Sequence, residues 1–213
     1  MKINKLKHII MKKLIIVCIV ALAFVGCTIS PEKKASTIVE ESVKSSLYHP
    51  ESYDPINTVL DSAFAPMDDP DFFDKTLKLF KLGLEMDQCD RQIKHAKSSM
   101  AIWSHPYDAF SKNEYNEAKE DYDKYVAKME TMQKKAEKLG GELKTIAEQG
   151  RRFIGWKATH SYRAKNNAGQ TLICESLFIL DPEITKILAG YNTDDSDYKN
   201  VQMMYEMMKE AEE

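Results

Sequence analysis

The chain has 213 residues, 30% of them charged and 43% hydrophobic, with 30 basic residues against 33 acidic ones. A formal charge of −3 lacks the basic excess that phosphate binding needs, which disfavours nucleic acid as a partner class, and none is expected. The four cysteines and five histidines form no CxxC pair and no zinc-type spacing, so neither metal nor cofactor is expected.

The first 26 residues hold five lysines and no acidic residue, then the apolar run Leu14 to Val25. Twelve residues is the length of a signal-peptide core and short of the roughly 20 needed to span a bilayer as a helix. Lys12-Lys13 makes a compact positive flank, which leaves Met11 as a second candidate start. The run ends in Phe24-Val25-Gly26-Cys27, which resembles the lipobox of bacterial lipoproteins, with Phe24 where that family prefers leucine. The resemblance implies removal of residues 1–26 and lipidation of Cys27, so that the chain is held to a membrane by its N-terminal lipid. An uncleaved anchor and an ordinary secretory cleavage are the alternatives. Removing residues 1–26 shifts the formal charge from −3 to −8, which also disfavours a polybasic membrane patch. The expected location is the cell envelope. In the lipoproteins that the chain resembles, an acidic run after the lipidated cysteine goes with export to the cell surface, so the lack of one after Cys27 implies the periplasmic face of the outer membrane.

A polar tether is assigned to 27–34. Ala35, Ile38, Val39, Val43 and Leu47 then share one helical face over about Pro31 to Leu47, and His49-Pro50 ends that helix. Alternation of Ile56, Thr58, Leu60, Ser62 and Phe64 predicts a strand within 53–64, closing the segment 35–69. Residues 70–149 carry the clearest pattern. Leu82, Met86, Cys89, Ile93, Ala96, Met100 and Trp103 recur at spacings of four and three. Tyr115, Ala118, Tyr122, Tyr125, Met129, Met132, Ala136, Leu139, Leu143 and Ile146 do the same. The pattern predicts a long antiparallel helical hairpin with a coiled-coil-like seam. Asp69-Pro70 and Ser111 to Glu114 are the start signals, and Gly140-Gly141 is expected to kink or break the second helix. The tyrosines and methionines of the seam read as ordinary core.

Residues 150–213 begin with a strand over 153–165 and a turn, Asn166-Asn-Ala-Gly-Gln170, whose glycine suits a left-handed position. That turn pairs Tyr162 with Cys174 and His160 with Ser176, and it puts Trp156, Tyr162, Leu172, Cys174, Phe178 and Leu180 on one face. Arg163 and Lys165 fall on the other face, near Glu175, while Ile173, Leu177 and Ile179 suggest that a helix covers part of it. His160 and Cys174 are diagonal neighbours, so a Cys–His nucleophile pair is conceivable, although a core histidine bonded to Ser176 or a carbonyl accounts for the same pattern. Asp181-Pro182 reads as a helix start with Gly190 as its stop, followed by a short terminal helix. Asn192 to Asp197 is acidic but lacks the glycine and glutamate of an EF-hand. Cys89 and Cys174 are the two cysteines left for a possible disulfide.

"HPESYDPINTVLDSAF" together with "GWKATHSYRAKNNAGQ" resembles a group of uncharacterised small lipoproteins of Bacteroidetes-type bacteria, in which an "H-[FY]-R-x-K-N-x-x-G" hairpin recurs. The resemblance covers about a third of the chain and implies the compartment and the hairpin, without a catalytic residue. Its members commonly lack a long helical insert. The expected architecture is α+β: an antiparallel sheet of about three strands packed on helices, with the helical hairpin inserted between the first strand and the C-terminal β-hairpin. The expected function is non-catalytic binding of a protein or envelope component through the helical hairpin. The alternative is a small-ligand binder or hydrolase using the sheet face around His160, Tyr162, Arg163 and Cys174.

Overall fold

The computed structural model describes residues 30–210. The expected signal segment, the lipobox-like run and Cys27 lie outside them. The described chain is α+β, with four α-helices and one antiparallel sheet in the order β1-β2-β3-β4.

Helix α1 (Pro31–Ser46) starts on Ser30, whose hydroxyl accepts from Lys33 N at 3.3 Å, with proline in the first turn. Residues 31–34 are therefore helical and do not belong to the tether. The cap and the pre-set φ of Pro31 outweigh the polar character of Glu32-Lys33-Lys34. Ala35, Val39 and Val43 are buried on its inner face.

Strand β1 (Asp54–Ala65) pairs with β2 (Arg152–Lys165), which pairs with β3 (Thr171–Leu180). The β2–β3 register has Tyr162 opposite Cys174 and His160 opposite Ser176, as the turn predicts. Gly169 takes φ +79° in that turn, and Asn166 Oδ1 accepts from the amides of Ala168 and Gln170, each at 3.0 Å.

The sheet has four strands rather than three. Residues 187–192, read as the end of a helix, form β4 (Ile187–Asn192) on the far side of β3. Asp181 is the physical reason. Its carboxylate accepts from the amides of Thr185 at 2.6 Å and Lys186 at 2.9 Å, which folds 181–186 into a tight reversal instead of a helical turn. An Asp-Pro pair signals either outcome equally well. A register shift between Ile179 and Leu180 then sends Ile187 to the α1 side of the sheet and Tyr191 to the opposite side.

Helices α2 (Pro70–Ile102) and α3 (Ala109–Glu148) separate β1 from β2 in the chain. Asp69 caps α2, and the turn before it is tied to β2 by Lys157–Asp68 at 2.9 Å and Arg152–Asp69 at 3.1 Å. The two helices touch at Lys75–Glu142, at the Cys89 thiol, which donates to Tyr125 O at 3.2 Å, and at Trp103–Phe110, 5.9 Å between centroids. The start of α3 is Asp108, not Ser111: Asp108 and Ser111 form a reciprocal capping box in which Ser111 is wholly buried. Nor do Gly140-Gly141 end the helix, since α3 runs unbroken to Glu148. Helical neighbours on both sides offset a glycine cost of about 1 kcal/mol each.

Two cores result. One lies between α1 and the sheet: Ala35, Val39 and Val43 pack on Ala158, Tyr162, Phe178 and Leu180. The other joins the roots of α2 and α3 to the terminal helix α4 (Ser196–Glu210) through Phe72, Phe73, Leu143, Val201 and Tyr205. Among the described residues no helix is long and apolar enough to cross a membrane.

Candidate functional site

The residues singled out in the sequence do not converge. His160 is 1% exposed and Tyr162 8% exposed, both beneath α1. His160 Nε2 lies 2.8 Å from the Tyr53 hydroxyl and Nδ1 lies 2.9 Å from Thr58 Oγ1, so both ring nitrogens are occupied. Of the expected partners, Ser176 is replaced by the hydroxyls of Tyr53 and Thr58 because β1 runs alongside β2 at this level, while a backbone bond is present at Asn57. Tyr162 stacks on the imidazole, 5.4 Å between centroids, and Tyr53 closes the cluster. Burial pushes the Tyr53 phenol up to about 12, so it remains protonated.

Cys174 is half-buried against this core, and both it and Cys89 are free thiols, so the possible disulfide does not form. With each imidazole nitrogen held by a hydroxyl, His160 is not placed as a base for Cys174. Arg163 is on the opposite face, half-exposed, and its guanidinium donates to Asp54 at 3.1 Å. The ion pair expected with Glu175 is replaced by one across β1, and Glu175 accepts instead from Ser161 at 3.3 Å. Among the described residues no three His, Cys, Asp or Glu side chains are grouped to hold a metal.

Burial lowers the His160 pKa, with Glu40 on α1 acting in the opposite sense. A depressed histidine means that the unfolded chain binds the extra proton first. Stability conferred by the neutral ring is thus full above the unfolded value, near 6.5, and is lost as pH falls below it. Urea unfolding between pH 7.5 and pH 5 is expected to show a steeper loss of stability for the native protein than for His160→Gln. The difference approaches, but does not exceed, about 1.4 kcal/mol per pH unit. Equal pH slopes would remove His160 as the cause.

The other face of the sheet has a cavity. A partly open cleft of about 330 Å³ lies between Thr159, Leu177 and Ile179 of the sheet and Tyr198, Gln202 and Tyr205 of α4, with Phe73 and Tyr191 at one wall. The helix expected over Leu177 and Ile179 is thus α4, although Ile173 remains 69% exposed. The Phe73 ring lies 4.2 Å from that of Tyr191 and 6.1 Å from that of Tyr198. Lys157 and Asp68 form the polar end of the cavity, paired with each other at 2.9 Å. Tyr205 is 3% exposed, and its hydroxyl, buried without a bond of ordinary geometry, lies within reach of the Thr76 hydroxyl. Burial raises its pKa far above that of a free tyrosine. The neighbouring Thr76 hydroxyl donates to Phe72 O at 2.8 Å.

A third feature is the far end of the α2–α3 pair. Ile102 is 73% exposed, Tyr107 81% and Phe110 60%. Ser111 N donates to Asp108 Oδ1 at 2.7 Å, and the amides of Tyr107 and Asp108 donate to Ser111 Oγ at 3.0 and 3.1 Å. The turn that carries Tyr107 into the first residues of α3, Phe110 among them, is therefore fixed by its own hydrogen bonds.

No family model matches this chain. Neither curated proteins nor solved structures yield a significant match either. Function has to be argued from the chain's own residues, and two features that bear on it are weakly marked in the sequence. The cavity needs Tyr191 on a strand that Asp181-Pro182 disguises, and it needs α4 docked across β3. The spacing Tyr198, Gln202, Tyr205 was the available signal, since it lines one helical face. The apolar tip was readable as Ser98 to Tyr107, ten residues without Asp, Glu, Lys or Arg in a chain 30% charged.

Proposed function

We propose that the protein is a non-catalytic, lipid-anchored component of the bacterial envelope that binds a protein partner through the outer part of an α2–α3 helical hairpin. The lipobox-like Phe24-Val25-Gly26-Cys27 and the lipoprotein-like hairpin wording support the anchor, with Cys27 as its attachment point. The absence of an acidic run after Cys27 favours the periplasmic face of the outer membrane. The observation that carries the binding reading is the tip: Ile102 at the end of α2, Tyr107 in the connection and Phe110 at the start of α3 are all exposed, the latter two beside the Asp108–Ser111 capping box. At 1.5 Å per residue, Ile102 stands about 30 Å beyond Lys81, the last residue of α2 ion-paired to α4. Fixed, exposed aromatic and aliphatic side chains free of charge are the usual anchors of protein interfaces. The distal seam, from Met86 to Met132, supplies the rigid arm that presents them.

A photo-crosslinking residue placed at Lys112 in cells is expected to capture a discrete protein. Capture is expected to drop at least tenfold when Tyr107→Ser and Phe110→Ser are combined, while the melting temperature stays unchanged. A second variant replaces residues 86–134 by a short Gly/Ser loop and keeps the roots of both helices, which belong to the second core. Pull-down of the same partner by that shortened variant would sink the proposal. Cys27→Ala is expected to release the protein from the membrane fraction, and retention there would count against the lipid anchor.

A further inference from the structure

Helix α1 leaves little chain between the folded protein and its anchor. The tether expected over 27–34 shrinks, because Ser30 caps α1 and Pro31–Ser46 are helical. Thr28 and Ile29 alone separate that cap from Cys27 in the sequence. Three Cα–Cα steps of about 3.8 Å hold Ser30 within about 11 Å of Cys27. A headgroup layer is about 5–8 Å deep, so the start of α1 stands clear of it by less than a helix diameter of about 10–12 Å. We propose that the surface formed by the first turn of α1 and the adjoining stretch of β1, Pro55 to Thr58, lies against the phospholipid bilayer. The orientation rests on lipidation of Cys27, proposed above.

The fold makes this surface one particular side of the molecule. β1 is an edge strand, and α1 begins over it: Thr58 Oγ1 donates to Ser36 Oγ at 3.5 Å. Ser30, Lys33, Pro55 and Ile56 line a shallow, open groove between the two elements. From there α1 crosses the sheet, and Leu47 beyond its far end lies beside Leu172 and Cys174 of β3. With the β1 edge against the bilayer, β4 is the opposite edge, three strand spacings of about 4.8 Å away. The chemistry of the surface suits phospholipid headgroups. Lys33 and Lys34 are exposed, and neither ammonium has an ion-pair partner among the described residues. Positive charges at the start of a helix oppose its dipole, a cost that nearby lipid phosphates offset. Ile56, 45% exposed next to Pro55, adds an apolar contact at the same level. Two lysines beside Glu32 are too few for a polybasic anchor, so the lipid supplies the attachment and this surface sets the orientation.

The test uses the full lipidated chain, reconstituted in vesicles of phosphatidylethanolamine and phosphatidylglycerol. A photoreactive benzophenone side chain replaces Ile56 on β1 or Leu188 on β4, which are matched at 45% and 42% exposure on opposite edges of the sheet. After irradiation, phospholipid adducts are quantified by mass spectrometry. The yield at position 56 is expected to exceed that at 188 by at least about tenfold, because three strand spacings exceed the depth of the headgroup layer. Lys33→Gln combined with Lys34→Gln is expected to lower the yield at 56 by at least about fivefold while the melting temperature stays unchanged. Equal yields at the two edges, from a chain that carries the diacylglycerol mass on Cys27, would overturn the orientation and leave the anchor standing. An N-terminal peptide without that mass would overturn both. An unchanged yield at 56 in the lysine variant would overturn the headgroup contact assigned to α1.

Discussion

Gly155→Ala is expected to destabilise the protein by more than about 3 kcal/mol, the largest effect foreseen for any single-methyl change. Gly155 sits inside β2 at φ +143°, a conformation that residues with a Cβ rarely adopt. A Cβ placed there would stand 1.9 Å from Leu180 O and 3.0 Å from the carbonyl carbons of Leu180 and Asp181. Each of those atoms is backbone, so no side chain can swing away to make room. The neighbourhood is also committed on both flanks. Ala63 pairs with Gly155 just before a register shift in β1, and Asp181 begins the tight reversal into β4. Relief would therefore require β3 to move away from β2 where the sheet turns its last corner. Gly140→Ala is the matched control. It adds the same methyl in a helix where nothing lies within 4 Å, and it is expected to stabilise by about 1 kcal/mol. Chemical denaturation of both variants separates the effect of strain from that of losing a glycine. Similar stabilities for the two would show that the sheet corner is softer than its geometry indicates.

The sequence made some of this legible and concealed the rest, for identifiable reasons. The β2–β3 register was readable because two independent signals, the period-two alternation of Trp156 to Ala164 and the glycine of the 166–170 turn, demand the same pairing. β4 was not, because Asp181-Pro182 caps a helix and holds a reversal with the same hydrogen-bonding groups. Which side of the sheet each residue occupies was also readable, so His160 and Arg163 were correctly parted. Their partners were not. Tyr53 and Thr58 reach His160, and Asp54 reaches Arg163, only once the register of β1 is known, and that strand carries bulges at both ends. The cavity lay furthest from reach, since Tyr205, Ile179 and Phe73 belong to three elements far apart in the chain. Only packing brings them together.

The same packing predicts how the molecule should come apart. Phe72→Ala is expected to cost about 3–5 kcal/mol, because Phe72 is 2% exposed in the core that joins α2, α3 and α4. Met132→Ala removes a side chain only 4% exposed, yet its effect is expected to stay local. Met132 lies in the arm beyond the second core, where the packing surface is the facing helix. Opening there exposes the seam without disturbing the sheet, a sub-global unit of the kind that amide exchange resolves. Hydrogen exchange on Met132→Ala is therefore expected to show lost protection across roughly residues 86–134 and native protection in β2 and β3. Phe72→Ala should lower protection in the sheet and the helices together, since the roots of the arm and α4 share one core. If Met132→Ala reduced protection in β2 as much as in α3, the arm would be part of the global unfolding unit. A partner at its tip would then be felt in the sheet. If protection in the sheet is unchanged, the arm can be ordered or strained by a partner while the α4 cavity and the His160 cluster keep their geometry.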